Sequence, residues 1–181
     1  FIYASSSSVY GNSTTFPLSE RINNLQPTSF YGSTKLMNEI FCKNFFSDTD
    51  TEHLGLRFFT VYGPYGRPDM AYMKLIDAAL NGGSFTLYGD GSTVRDFTYI
   101  DDVIKAIQSL IKLPIGRSPD IINIGGGKPR SISELIITVE NLTNTSINTV
   151  MAKSFDFDMK KTEADFTQLF KITGLQPNTK L

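Results

Sequence analysis

The chain lacks tryptophan, holds one cysteine and one histidine, and carries almost no net charge. Cys42 therefore has no partner for an internal disulfide. His53 stands apart from any cysteine or carboxylate at ligand spacing, so we predict no metal site. Seventeen basic against eighteen acidic residues leave a net charge of −1 over 181 residues. Because such a balance gives no electrostatic footprint for nucleic acid, the composition favours a small-molecule ligand.

Long hydrophobic runs are also absent. No apolar stretch approaches the ~20 residues of a membrane span, and residues 1–4 lack an initiator methionine, a charged leader and a cleavage site. We therefore expect a cytoplasmic protein without a membrane partner, whose sequence begins inside a strand. Apolar residues still make up 40% of the chain, which is enough to bury a core as one globular unit.

The hydrophobic pattern alternates between strands and helices. Short buried strands are predicted at residues 1–5, 54–60, 85–87 and 121–124, and helices at 31–46, 70–80, 102–110, 131–141 and 166–173. Ser131 with Glu134 has the spacing of a capping box, and Gly174 ends the last helix. Gly125, Gly126 and Gly127 lack the full spacing of a dinucleotide fingerprint and predict a tight turn. This alternation favours an α/β fold with a parallel sheet.

Two residues on the first predicted helix could perform acid–base chemistry. Tyr31 and Lys35 are four apart, so both side chains lie on one helix face. A phenol has a pKa of about 10, and a nearby ammonium favours its phenolate. Tyr31 could then accept a proton from a hydroxyl. Taken alone, such a pair is more typical of a solvated helix face.

Asp101 and Asp102 also form an acidic pair, directly before an apolar-periodic segment. A catalytic carboxylate pair is one interpretation of this pattern. Acidic residues at that position more often cap a helix, so we expect capping.

Five ordered segments give the tyrosine and lysine a context. They are residues 4–11 (ASSSSVYG), 27–35 (PTSFYGSTK), 56–64 (LRFFTVYGP), 89–102 (GDGSTVRDFTYIDD) and 123–127 (NIGGG). Together they resemble the extended short-chain dehydrogenase/reductases of the NAD-dependent epimerase/dehydratase group. The resemblance implies that Ser6, Tyr31 and Lys35 are catalytic, and that Tyr31 and Lys35 also contact NAD.

The same resemblance implies the architecture. We expect the second half of a Rossmann-type parallel sheet plus a small α/β substrate-binding portion. Residues 1–65 would belong to the NAD-binding domain, and residues 66–181 mainly to the substrate portion, with some segments returning to the sheet. Most of the NAD-binding segment would be missing, so we expect this chain alone to be inactive and marginally stable. A homodimer through the Tyr31 helix is implied as well.

Two features of the sequence narrow the activity that the resemblance implies. Dehydratases of this group usually carry acidic residues between the strand end and Val-Tyr-Gly, where this chain has Ser6, Ser7 and Ser8. Residues 62–71 (YGPYGRPDMA) resemble the UDP-glucuronate 4-epimerases. The resemblance thus implies inversion at carbon 4 of a UDP-hexose or UDP-uronate, with UDP-glucuronate to UDP-galacturonate favoured. A UDP-glucuronate decarboxylase, a UDP-glucose 4-epimerase and a truncated, non-catalytic nucleotide-sugar-binding module remain the alternatives.

Further residues are predicted to bind the substrate. Hydroxyls of Ser6, Ser7, Ser8 and Thr60 would suit a sugar carboxylate, which accepts several hydrogen bonds. Arg95 is the predicted diphosphate ligand because a guanidinium pairs with phosphate oxygens bidentately; a surface arginine is the alternative.

The nucleoside end depends on resemblance alone. Thr86 and Tyr88 match positions that line the base pocket, although a plain strand explains them nearly as well. Asp158 matches an aspartate near the ribose. Phe155 and Phe157 stand where the family usually has a polar residue and a glycine.

Overall fold

The structure, a computed structural model, describes residues 1–114, 116, 119–155 and 158–181. Its strands are β1 (Ile2–Ser6), β2 (Leu54–Phe58), β3 (Thr60–Tyr62), β4 (Ser84–Tyr88), β5 (Val94–Tyr99), β6 (Ile121–Ile124), β7 (Pro129–Ser131) and β8 (Asn148–Ala152). Its α-helices are α1 (Phe30–Phe45), α2 (Ala71–Asn81), α3 (Ile100–Ile111), α4 (Ile132–Thr143) and α5 (Thr167–Thr173). The predicted α/β class is confirmed.

The central sheet has the order β1-β2-β6, and both strand pairs are parallel. Residues 54–57 of β2 are all buried, as expected for a strand covered on both faces. Helices α3 and α5 pack against this sheet around one apolar cluster. Its buried members are Leu54, Leu56, Val103, Ala106, Leu110, Ile122, Ile124 and Leu169.

The predicted strand 54–60 is divided at Phe59. Residues before it pair with β1 and β6, whereas β3 after it pairs with β5, which in turn pairs with β7. The buried Phe59 side chain packs in a separate apolar cluster with Val9, Tyr10 and Leu18. A continuous apolar run hides this change of sheet because both halves are rich in strand-forming residues.

Three strands are absent from the prediction. β5 places the polar side chains of Asp96 and Thr98 in the interior, which breaks the expected apolar pattern. β7 has three residues, and β8 is largely exposed and pairs in parallel with β4. Strands stabilised by such long-range pairing carry little local signal.

A second layer is built by α2 and α4, which pack around Leu75, Ala78, Leu135 and Val139. The predicted capping box is confirmed, since Ser131 Oγ accepts from the Glu134 amide and Glu134 accepts from the Ser131 amide. Gly174 adopts the left-handed conformation at the end of α5, as predicted. The glycine turn is also present: the amides of Gly126 and Gly127 both donate to the buried Asp96 carboxylate.

The expected capping of α3 by its acidic pair is wrong. The residue before α3 is Tyr99, which makes no side-chain cap. The Asp102 carboxylate instead accepts from the backbone amides of Asn178 and Thr179 at 3.1 and 3.0 Å. It fastens the C-terminal segment to α3. Among the described residues no helix has the length and apolar content to cross a bilayer.

Helix α1 approaches the end of β1 very closely. Ser29 caps it by accepting from the Gly32 amide. A Cβ atom on Gly32 would stand 2.7 Å from the Ser8 carbonyl oxygen, so only glycine lets the backbones come this near. Ser7–Tyr10 forms a short 3-10 helix directly after β1. The turn and the glycine together bring α1 against the strand end.

Candidate active site

An open cleft of about 620 Å³ lies beyond the strand ends. Seven predicted site residues line it, namely Ser6, Ser7, Ser8, Tyr31, Thr60, Arg95 and Asp158. A smaller pocket of about 260 Å³ adjoins it and is lined by Thr86 and Tyr88. Thr60, Arg95 and Asp158 border both spaces. Lys35 lines neither space, and its ammonium lies over the Tyr31 ring at 5.6 Å from the centroid. Nine of the ten predicted residues therefore share one continuous depression, although their roles remain predictions.

The three serines that line the cleft, Ser6, Ser7 and Ser8, are organised by hydrogen bonds between Ser6 and Ser8. Ser6 ends β1 and caps the 3-10 helix, accepting from the Ser8 amide at 3.1 Å. Its hydroxyl also donates to Ser8 Oγ at 3.1 Å. Ser6 and Ser7 are buried and Ser8 is half-buried. Two adjacent hydroxyls thus face the cleft, and each can rotate to donate to an incoming oxygen.

Tyr31 and Lys35 project from the first two turns of α1. The Tyr31 side chain is 54% exposed, and the Lys35 Nζ lies 5.6 Å from its ring centroid. The same ammonium donates to the Ala4 carbonyl oxygen at 3.1 Å. An ammonium carries three donors, so this bond fixes Lys35 and leaves donors for a ligand. The arrangement places positive charge beside an accessible phenol.

Arg95 and Asp158, which also line the cleft, form an ion pair. Their Nη2 and Oδ1 atoms are 2.6 Å apart. Arg95 Nη1 donates to the Val94 carbonyl oxygen at 2.9 Å. Burial lowers the pKa of Arg95 below its usual range, and the neighbouring Asp158 carboxylate opposes that shift. The sequence named both residues separately, but a separation of 63 positions gave no sign that they meet.

Aromatic side chains complete the pocket walls. The Phe155 ring lies 5.0 Å from that of Tyr88, which lines the smaller pocket. The residue that departs from the family pattern at position 155 therefore packs against a lining side chain. Phe157 lies outside the described residues. Tyr62 and Tyr72, which the sequence reasoning missed, line the cleft. Tyr62 was within the quoted segment 56–64, but a motif does not reveal which way its side chains point.

No group of three or more His, Cys, Asp or Glu side chains in the described parts of the chain is arranged to hold a metal ion.

A parallel sheet with a serine at one strand end, and with tyrosine and lysine four apart on the next helix, defines a short-chain dehydrogenase/reductase type of site. The chain belongs to the NAD dependent epimerase/dehydratase family, which matches residues 1–125. The family predicted from the five segments is thus confirmed.

Curated relatives and solved structures agree with this assignment. Protein CapI of Staphylococcus aureus is 37% identical, covering 98% of this chain and 58% of that protein. A probable UDP-glucuronate 4-epimerase of Rhizobium meliloti is 33% identical, covering 97% and 56%. The UDP-glucuronic acid 4-epimerase of Bacillus cereus, in complex with UDP-glucuronic acid and NAD, superposes with a TM-score of 0.92 at 37% identity, covering 99% of this chain and 57% of that one. The chain therefore spans a little over half the length of these relatives.

The residues present fit the NAD that the family uses. Tyr31 lines the cleft, and the Lys35 ammonium lies 5.6 Å from its ring centroid with donors beyond its bond to the Ala4 carbonyl oxygen. Both groups can therefore hydrogen-bond the hydroxyls of a nicotinamide ribose. The expectation of NAD is confirmed for the family and for the Bacillus cereus complex. Dimerisation through α1, the cytoplasmic location and the domain boundary at residue 65 remain predictions.

Proposed function

We propose that the protein containing this chain is a UDP-sugar 4-epimerase that converts UDP-glucuronate to UDP-galacturonate. The observation that carries the proposal is the shared cleft. Tyr31, the serine hydroxyls, Thr60, Arg95 and Asp158 all line it. Proton transfer and nucleotide-sugar binding can therefore occur in the same space.

Tyr31 is the proposed base. As phenolate it would accept the proton of the sugar 4-hydroxyl and later return it. NAD, when bound, supplies the site that takes up and gives back the hydride of carbon 4. Lys35 would hold the nicotinamide ribose through its remaining donors. Ser6 would donate a hydrogen bond to the reacting oxygen, where negative charge develops.

The remaining hydroxyls are proposed to select the sugar. Ser7, Ser8 and Thr60 can donate to the carboxylate of a uronic acid. Oxidation at carbon 4 makes that sugar a β-keto acid, which loses carbon dioxide readily when its carboxylate can align with the carbonyl. Several hydrogen bonds to the carboxylate would hold it out of that alignment. The same groups thus favour glucuronate as the substrate and oppose its decarboxylation.

Binding of the nucleotide is assigned to Arg95 and Asp158 and to the adjoining pocket. Arg95 would pair with the diphosphate, exchanging the Asp158 carboxylate for phosphate oxygens. Asp158 would then be free to accept from a ribose hydroxyl. Thr86 and Tyr88 would line the pocket for the nucleotide base.

The test is turnover by the complete natural protein. It would be incubated with UDP-glucuronate, and the products followed by mass and by sugar configuration. Equal-mass UDP-galacturonate, abolished by Tyr31→Phe, is the expected result. Loss of carbon dioxide would replace the epimerase with a decarboxylase.

Two further outcomes would change the proposal. Turnover of UDP-glucose alone would move the substrate from a uronate to a neutral hexose. Tight UDP-sugar binding without turnover of any sugar would identify a non-catalytic nucleotide-sugar-binding module.

A further inference from the structure

A buried ion pair joins the catalytic helix to the sheet. Glu39 of α1 and Arg57 of β2 are 7% and 3% exposed. Arg57 Nε donates to Glu39 Oε1 at 2.9 Å, and Nη2 donates to Oε2 at 2.8 Å. The Ser5 hydroxyl donates to the same Glu39 Oε1. None of these three side chains lines the cleft or the adjoining pocket.

The ion pair meets the sheet next to the residues of the site. Ser5 and Arg57 are direct partners in the parallel β1–β2 register. Ser6 follows Ser5 at once, and Thr60 comes three residues after Arg57. One carboxylate therefore binds both strands just before they deliver their hydroxyls to the cleft.

On the helix side, Glu39 continues the row of Tyr31 and Lys35. The three residues are spaced by four positions, so they occupy one helix face with a rise of roughly 6 Å between neighbours. Anchoring Glu39 therefore fixes both the rotation of α1 about its axis and its position along that axis relative to the sheet.

Apart from this ion pair, α1 is positioned by the close backbone approach at Gly32 and by the partly buried Leu36, and it buries few side chains. Of its sixteen residues, the buried ones are Gly32, Glu39 and Cys42. Apolar packing tolerates rotation and sliding more readily than a bidentate guanidinium–carboxylate pair, whose geometry is directional. Among the described residues, Arg57 Nη1 has no hydrogen-bond partner, and the guanidinium lies over the Tyr10 ring, 4.7 Å from its centroid. The interior thus holds an incompletely satisfied charge, which is a poor device for stability alone.

We propose that Glu39, held by Arg57 and Ser5, is a positioning residue that sets the separation of Tyr31 from Ser6 during catalysis. This inference deepens the proposed epimerase function and rests on it. Neither Glu39 nor Arg57 touches the substrate. They act by fixing the helix that carries the base against the strand that carries the hydroxyl.

The test compares kinetic constants of the complete natural protein and its Glu39→Gln variant, at a temperature where both are folded by circular dichroism. Glu39→Gln keeps the shape and removes the bidentate charge pair. We expect kcat to fall on the order of 10- to 100-fold, since small misplacements of reacting groups have effects of this size. We expect the KM for the UDP-sugar to change by less than about threefold, because the substrate-binding groups remain.

The matched control is Val139→Ala in α4, which removes buried volume from the α2–α4 cluster and lines neither pocket. It should lower Tm comparably while kcat per folded molecule stays at the wild-type value. Arg57→Lys keeps a charge without the planar fork and should give an intermediate kcat. Should Glu39→Gln not fold, Ser5→Ala removes one bond of the same cluster and should lower kcat a few-fold.

A double-mutant cycle separates positioning from simple loss of stability. In a Ser6→Ala background the aligned hydroxyl is already gone, so Glu39→Gln should reduce kcat by clearly less than in wild type. Equal reductions in both backgrounds, or an unchanged kcat in Glu39→Gln, would overturn the positioning role. A wild-type protein that turns over no UDP-sugar would overturn the proposed function itself, and the inference with it.

Discussion

Helices α1 and α2 bury opposite kinds of residue. α2 has eleven residues and buries Tyr72, Leu75, Ala78 and Ala79. α1 has sixteen residues and buries a glycine, a glutamate and a cysteine. Leu36 packs against the Val9, Tyr10 and Leu18 cluster, whereas most of the large apolar side chains of α1 are exposed, namely Phe30, Met37, Ile40, Phe41 and Phe45. Helix α2 is therefore held by apolar burial. Helix α1, which carries the candidate base Tyr31, is held mainly by close backbone approach and polar bonds.

This difference separates stability from chemistry. Substitutions in the α2–α4 layer remove apolar contacts and should lower the free energy of unfolding. Substitution of the exposed Tyr31 on α1 should reduce the reaction rate with a small effect on unfolding. The predictions below test this separation, beginning with the largest effect.

Tyr31→Phe should abolish most of the activity while leaving the fold intact. Losing a general base costs about 10²- to 10⁴-fold, and Tyr31 is 54% exposed, so the free energy of unfolding should change by less than about 0.5 kcal/mol. Product formation and urea unfolding measure the two effects. A variant with more than a tenth of the wild-type kcat would exclude Tyr31 as the base.

The sequence located α1 and its Tyr-x-x-x-Lys pair well because local spacing alone determines which residues share a helix face. The serine segment and Thr60 were named through the resemblance to the epimerases. The sequence did not reveal the Arg95–Asp158 pair or the bonds from Glu39 to Ser5 and Arg57. Those contacts join residues that are distant in sequence, and only the register of the sheet brings them together.

The same limit explains the missed strands. β5 carries buried polar residues because the Asp96 carboxylate accepts from the amides of Gly126, Gly127 and Ala164. Three distant donors stabilise one carboxylate in the interior. A periodicity argument treats such a residue as evidence against a buried strand.

Leu75→Ala should destabilise the fold without changing the chemistry. Leu75 is fully buried in the α2–α4 cluster and lines neither pocket of the candidate site. Removing its side chain should cost about 2–5 kcal/mol, measured by urea unfolding. The kcat per folded molecule should equal that of wild type. A kcat that fell in proportion to stability would show that the two layers are coupled.

Gly32→Ala should reverse the usual effect of this substitution in a helix. Alanine normally stabilises a helix interior by up to about 1 kcal/mol. Here its Cβ would stand 2.7 Å from the Ser8 carbonyl oxygen and 2.9 Å from the Pro27 Cβ, so α1 must shift, at a cost of about 1–3 kcal/mol. The kcat should fall as Tyr31 moves with the helix.

The control for this substitution is Gly83→Ala. The nearest atom to its added Cβ is the Ala78 Cα at 3.8 Å, an ordinary contact, so Tm and kcat should stay close to wild type or Tm should rise slightly. If both glycine variants behaved alike, the close approach of α1 to the strand end would not control the position of Tyr31.

The smallest effect is expected at Asp102, which fastens the C-terminal segment by charge instead of apolar contact. Burial raises the pKa of this carboxyl, but bonds from the Thr179 and Asn178 amides and the Lys105 charge lower it overall. A lowered folded-state pKa means that the carboxylate stabilises the fold above pH ~4 and loses this contribution as pH falls through the folded value. Asp102→Asn should therefore cost about 1 kcal/mol or less at pH 7, and the gap from wild type in unfolding free energy should narrow between pH 5 and pH 3. A gap that stayed constant across that range would mean that the Asp102 charge contributes nothing there and that the bonds to residues 178 and 179 depend on shape alone.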